Sequence, residues 1–303
     1  MFRILTISGC CFSLLALNAQ PRKQFIVNEK PSCSSIDLRL GAKSGNYFIE
    51  AGKGVNLISA FSNIDPQDAA YIIEDRVDNN VQHINLEMEG FSGAGFTHSI
   101  SDHVWGAHTD IDEHAVWKFE LSESKPFNLD LVYAVGNANL DLSGLAVERL
   151  KINSGSANIR ISYPSGPNKL EMDTFHVKVD LGSLIIDDIN SARAKFFIAE
   201  VGFGKLNLDF SQIPATSYEV HGIVGAGTMD VIMPDESVPV KLHINDSWLS
   251  TVVIPREYRE IDDNVFVNSA FLRNNSMPVI FNFDAAMGNI VIHSSTKIGR
   301  AHV

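Results

Sequence analysis

The sequence predicts an all-β fold, a stack of coils of the β-solenoid or β-helix kind built from a single chain, on three observations. Apolar and polar residues alternate with period two through most of the chain, the signature of strands with one buried face. Glycines punctuate these runs near their middles. The arrangement also recurs: Ala138, Ala157, Leu184, Leu206 and Met229 each stand two places after Gly136, Gly155, Gly182, Gly204 and Gly227, at spacings of 19, 27, 22 and 23 residues. Units of roughly 22 residues fall in the solenoid range of about 20 to 50. One such unit cannot cover its own apolar face, so it must stack on the next.

Taken in order, the chain opens with Arg3, an apolar stretch from Ile4 to Leu17 and then Asn18-Ala19-Gln20. A short basic start, a short apolar region and a small residue ahead of a polar one define a secretory signal peptide over 1–19, cut after Ala19. The apolar run is shorter than the ~20 residues a membrane span requires. Ile7-Ser8-Gly9-Cys10 matches the pattern ahead of a lipidated cysteine, but it lies too near Met1 to leave an apolar region before it. No later stretch reads as a transmembrane helix, so the expected product is exported, to the periplasm, the outer surface or the medium. Cys10 and Cys11 leave with the signal; Cys33 then stands alone and cannot form an internal disulfide.

Residues 20–115 read as an N-terminal β segment. Ile36, Leu38 and Leu40 alternate ahead of bends at Gly41 and Gly45, and Val55 to Phe61 forms another strand. Asp65-Pro66 could open a helix through Asp75, but Tyr71-Ile72-Ile73 favours a strand. Asp78-Asn79-Asn80 then turns into a second strand with Ile84, Leu86 and Met88 on one face. Gly90 to His114 is a long connection carrying four histidines. Residues 116–297 read as the repeat solenoid, beginning at Val116-Trp117-Lys118-Phe119-Glu120-Leu121.

Within the repeats, Leu140 and Leu142, Ile159 and Ile161, Leu206, Leu208 and Phe210, and Met229, Val231 and Met233 point inward. Each glycine marks a corner that needs either positive φ or close approach to the neighbouring coil. Val238 to Ile244, Leu249 to Ile254, Val265 to Val267 and Pro278 to Ile292 read as final coils with longer corners. Residues 298–303 read as a sequence artefact and are set aside.

Particular residues go beyond this grammar. Trp117-Lys118-Phe119-Glu120-Leu121, Pro126, and Asn139-Leu140-Asp141-Leu142-Ser143-Gly144-Leu145 followed by Leu150 resemble the toast-rack domain of LiaF-like envelope proteins, which is related to bacterial adhesin domains. Residues 36–52 resemble that family's opening segment and 234–292 its terminal one. The second glycine of each GxG pair is kept, whereas Ala134, Asn153, Asp180 and Ala286 replace the first. The resemblance implies a stacked all-β domain without catalytic residues and a place in envelope-stress sensing. LiaF-type members carry membrane helices ahead of the domain, and here a signal peptide takes their place.

Charge narrows the function further. The formal net charge is −12, and once Arg3 leaves with the signal 23 basic residues face 36 acidic ones; such a surface repels phosphate backbones and excludes nucleic acid as a partner. No G-x-S-x-G elbow occurs, and Gly93-Ala94-Gly95 and Gly202-Phe203-Gly204 lack the remainder of a phosphate-binding loop.

Two chemical alternatives stand beside a non-catalytic envelope or surface module. A metal-binding protein would gather His98, His103, His108 and His114 with Asp102, Asp110, Asp112 and Glu113, though their spacing fits no compact zinc motif. A polysaccharide-acting enzyme would align Asp141, Asp188, Asp209 and Asp230 in one groove, whereas a solvated acidic strand face accounts for them equally. Phe196, Phe197, Phe203 and Phe210 read as core rather than a sugar platform. The expectation is therefore a non-enzyme with no cofactor and no catalytic, cofactor-binding or metal residues, whose partner is an envelope protein or a glycan.

Overall fold

The computed structural model describes residues 21–88 and 115–295. The signal segment 1–19, the four histidines from His98 to His114 and residues 298–303 lie outside the described residues.

The chain enters through β1 (Arg22–Val27), then β2 (Ser35–Ala42) and β3 (Asn46–Gly52), and β4 (Ile58–Ser62) returns antiparallel to β1. β4 starts later than the sequence suggests, and Val55 is solvent-exposed ahead of it. Strand, turn, strand is indeed the arrangement of β5 (Tyr71–Asp78) and β6 (Val81–Met88). Asn79 and Asn80 close that hairpin at φ 48° and 64°, the pair of left-handed residues that a type I′ turn requires. β7 (Val116–Ser122) precedes two long strands, β8 (Phe127–Asp141) and β9 (Val147–Ser162).

Shorter strand pairs follow: β10 (Met172–Val179) with β11 (Ser183–Ile186), and β12 (Ala194–Val201) with β13 (Lys205–Asp209). Next come β14 (Glu219–Val224) with β15 (Thr228–Ile232), and β16 (Val240–Asp246) with β17 (Thr251–Val253). β18 (Arg259–Asp262), β19 (Val265–Val267) and the short helix α1 (Ser269–Arg273) lead to the last coil, β20 (Val279–Ala285) with β21 (Asn289–His293).

These strands make two facing sheets. The first runs β5-β6-β2-β8-β9-β10-β12-β14-β20-β16-β19-β18. The second runs β1-β4-β7-β3-β8-β9-β11-β13-β15-β21-β17. β8 and β9 belong to both, each bending once to pass from one sheet to the other. Pairing is parallel through the body and antiparallel only at the ends.

Spatial order departs from chain order at both ends. The coil of β2 and β3 lies between that of β6 and β7 and β8, although it comes first in the chain. Likewise the coil of β20 and β21 is inserted between β14–β15 and β16–β17. The C-terminal coils thus form, but the last in sequence is internal.

Inward rows are filled by the alternation the sequence displays. Leu38, Leu129, Leu150, Phe175, Phe197 and Val220 form one inward row of the first sheet and Ala138, Ile159, Leu184, Leu206 and Met229 one of the second, all buried in a single cluster. Each of these side chains larger than alanine contributes about 1.5–3 kcal/mol by leaving water. Phe175 and Phe197 lie 5.6 Å apart, and Phe210 meets Phe281 edge-on at 5.2 Å, geometries that aromatic quadrupoles favour.

The glycine corners hold for a reason other than left-handed backbone at most positions. Of the column Gly136, Gly182, Gly204, Gly227 and Gly288, only Gly136 has positive φ, at +110°. A Cβ at Gly182 would stand 2.0 Å from the carbonyl oxygen of Ala157, and one at Gly204 2.2 Å from that of Gly182. Close approach of consecutive coils excludes a side chain there.

Register also corrects one unit. Gly136 pairs with Ala157 in β9, and Ser183 pairs with Asn158, so Ala157 occupies the column and Gly155 precedes it. The second glycine is therefore replaced once, by Ala157, and Asn153 holds no corner position. Gly41 is likewise inside β2, leaving Gly45 at φ +115° as that coil's corner.

At the opposite edge two buried asparagines clamp the coils. Asn168 Oδ1 accepts from Val147 N at 2.8 Å, while its Nδ2 donates to the carbonyls of Val147 and Leu170 at 2.7 and 2.9 Å. Asn268 does the same for Val240 N and the Val238 carbonyl, and also caps α1 by accepting from Phe271 N.

Candidate functional site

Among the described residues the inward side chains form one apolar cluster, and the charged groups lie on the two outer faces and the corners. The proposed acidic stripe resolves into separate features. Asp141 and Asp209 do share a row on the second sheet, but the register passes through Ser162 and Asp187 between them and on to Ile232. Asp188 is off the sheet, left-handed at φ 51°, accepting from Ser191 Oγ at 2.6 Å. Asp230 sits two residues earlier on its strand, opposite Asn207 and Val291.

The recurrence of acids has a local cause. Asp141 Oδ1 accepts from Ser143 N at 3.0 Å and Asp209 Oδ1 from Ser211 N at 2.9 Å, the bond by which an aspartate ends a strand in an Asx-turn. Asp187 pairs with Arg160 at 2.7 Å, and Asp230 with Lys205 at 2.9 Å. Asp209 and Asp230 do line one groove of about 340 Å³ with Asp187 and His293, but Asp141 and Asp188 lie outside it. Among the described residues no three of His, Cys, Asp and Glu converge on one point.

The aromatics divide. Phe197 and Phe210 are core, as the sequence suggests, but Phe196 lies on the outer face of the first sheet and Phe203 is 71% exposed. Phe203 stands between the two glycines of its corner, and Leu181 and Met287 hold the same middle position in theirs, after Asp180 and Ala286 and before Gly182 and Gly288. Backbone bonds from Leu181 N to the Gly155 carbonyl and from Met287 N to that of Gly225 show the same corner geometry. Period-two patterning reads through these positions without registering that the bend turns the middle residue outward. Trp248, 91% exposed at the corner between β16 and β17, is likewise invisible to the repeat.

A groove of about 520 Å³ lies across β5, β6, β2, β8 and β9 on the outer face of the first sheet. A hydrogen-bonded relay crosses it: Arg149 Nε donates to Asn128 Oδ1 at 3.2 Å, Asn128 Nδ2 to Asp37 Oδ1 at 2.7 Å, and His83 Nδ1 lies 3.1 Å from Asp37 Oδ2. Arg39 Nη1 holds Asp130 Oδ2 at 3.2 Å. Sequence reasoning missed this group because its members come from strands 91 residues apart in the chain, as in the Arg39–Asp130 pair; parallel stacking alone makes them neighbours.

Fold and surface together define a two-sheeted β-solenoid with a packed apolar interior and hydrogen-bonded polar faces. Residues 18–183 match the family described as the N-terminal domain of toast_rack, and the chain belongs to that family. A candidate cell adhesion protein from Clostridium sporogenes is similar over 91% of this chain and 100% of its own, at 15% identity and a TM-score of 0.42. A candidate adhesin from Bacteroides fragilis is similar over 90% and 95%, at 13% identity and a TM-score of 0.37. No curated protein matches the sequence.

Proposed function

We propose that this protein is a non-catalytic, exported module of the cell envelope or surface, a scaffold or adhesin-like binding face rather than an enzyme. One observation carries the reading: each outward acid that a glycan-cleaving enzyme would need has a carboxylate oxygen engaged in a turn or an ion pair, including Asp187, Asp209 and Asp230 where they line one groove. A glycosidase requires two carboxyl groups flanking one bond, one of them in an apolar pocket that keeps it protonated. Family membership and the basic, then apolar, leader support the same reading.

The test has two parts. Expression in a bacterial host should yield a secreted chain whose N-terminal residue is Gln20. Incubation of the purified protein with envelope and environmental polysaccharides should leave them uncleaved, for parent and for Asp187→Ala/Asp209→Ala alike. Turnover by the parent that disappears in the double variant would overturn the reading in favour of an enzyme.

A further inference from the structure

We propose that two copies of this protein pair edge to edge through β5, antiparallel about a two-fold axis at Asp75, so that the first sheet of one copy runs on into that of the other. The stack has four sheet edges, β5 and β1 at one end and β18 and β17 at the other. An open edge offers unpaired N–H and C=O groups to any further strand, and shortness, proline and bulges are the common protections. Three of the edges carry them. The register of β1 shifts between Lys23 and Phe25, and that of the four-residue β18 between Glu260 and Asp262. β17 has three residues and is closely followed by Pro255. β5, in contrast, is eight residues long with no proline and no break in register, and among the described residues it pairs only with β6.

The hairpin fixes which groups are free. Its two-residue turn makes Asp78 and Val81 a hydrogen-bonded pair, and alternation along the register then bonds Arg76 to His83, Glu74 to Asn85 and Ile72 to Glu87. The backbone N–H and C=O of Tyr71, Ile73, Asp75 and Val77 therefore point away from β6, to the open edge. The side chains of these four lie on the core side, opposite the buried Met88, Leu86, Ile84 and Gln82. Val77 is nonetheless half exposed, because no strand lies beyond it.

The occupant and its register follow from the strand's own sequence. Edge-facing residues must meet edge-facing residues, so a symmetric antiparallel pairing of the middle of β5 centres on Glu74, Asp75 or Arg76. Centring on Glu74 or on Arg76 sets that charge against its own copy, and like charges directly opposite destabilise a sheet. Centring on Asp75 sets Glu74 of each copy against the partner's Arg76 on the outer face, and Ile73 against the partner's Val77 on the core side. Among the described residues no carboxylate lies within ion-pair distance of Arg76, and Glu74 meets only the Asn85 amide, at 3.4 Å. The two Asp75 carboxylates face each other at the axis, but each is already held by Lys30 Nζ at 3.2 Å and Gln82 Nε2 at 3.1 Å. Alternating sign thus selects one register where a run of like charges would forbid all of them. A patch complementary to itself is what a two-fold contact between identical chains requires.

The experiment is analytical ultracentrifugation of the purified secreted chain over a range of concentrations. The parent should sediment as a dimer that dissociates on dilution. Arg76→Glu and, separately, Glu74→Arg should each weaken dimerisation by about tenfold or more, since each puts like charges opposite one another twice. The double variant Glu74→Arg/Arg76→Glu should restore the dimer, because the exchanged charges meet again across the axis. Circular dichroism should stay that of the parent in all three, as both side chains are on the surface. A monomeric parent would leave the edge to some other strand and overturn the assignment. So would single reversals that leave the dimer intact, or a folded double variant that stays monomeric.

Discussion

At the scale of single residues, the corner glycines show how a correct sequence signal can have a different cause from the obvious one. Glycine at 204 suggests positive φ, yet its backbone is ordinary and the exclusion comes from the Gly182 carbonyl, 2.2 Å from where a Cβ would stand. The consequence differs too. A conformational penalty would spare small residues little and local structure much, whereas a backbone collision forces the coils apart for any side chain. Gly204→Ala should therefore lose about 3 kcal/mol or more in urea denaturation. Gly54→Ala should be neutral or gain up to about 1 kcal/mol, since the nearest atom is 4.0 Å away and φ is not positive. Equal stability of the two variants would refute the collision. The aspartates teach the same lesson in reverse: their recurrence was visible in the sequence as a stripe, but Asx-turns at strand ends generate acids at regular intervals with no shared ligand.

At the scale of elements, strand identity was legible and register was not. Alternation identifies the inward residues of β8, β9, β13 and β15, all of which are buried, because a one-residue slip would expose the whole set. A slip of two preserves that pattern, and so Gly155 and Ala157 could not be told apart from sequence; only pairing with β8 and β11 places Ala157 in the glycine column. The connections between coils were similarly opaque. Asn168 looks like one polar residue in the loop Pro164 to Glu171, yet it is fully buried and fixes the start of β9 to the approach to β10. Asn168→Ala would strand the Val147 amide and two carbonyls, each worth about 1–3 kcal/mol when left unpaired in the interior. A loss of about 3 kcal/mol is expected by equilibrium denaturation. Asn168→Asp keeps the acceptor for Val147 N but sets a buried carboxylate oxygen against the two carbonyls, so it should lose at least as much as alanine; no loss in either variant would show that the clamp contributes nothing.

At the scale of the whole molecule, the interleaved ends set this protein apart from a solenoid that simply adds coils in chain order. In a sequential stack, trimming the C-terminus removes an outer coil and leaves the nearest-neighbour contacts of the rest intact. Here the last strands, β20 and β21, have a neighbour on each side: β14 and β15 on one, β16 and β17 on the other. Ending the chain at Met277 therefore takes out an internal layer, uncovers Val220 and Val224 on one flank and Leu242 and Ile244 on the other, and leaves β16 with only β19 to pair. Excising 238–273 instead removes the outermost coil and joins Ile232 to Val279 by a connection about as long as that from Asp209 to Glu219. The excised protein should still melt in one cooperative transition, somewhat below the parent, while the protein ending at Met277 should show neither that transition nor protected amides in β16. A cooperative melt near the parent's in the latter would mean that β20 and β21 are peripheral, contrary to the pairing.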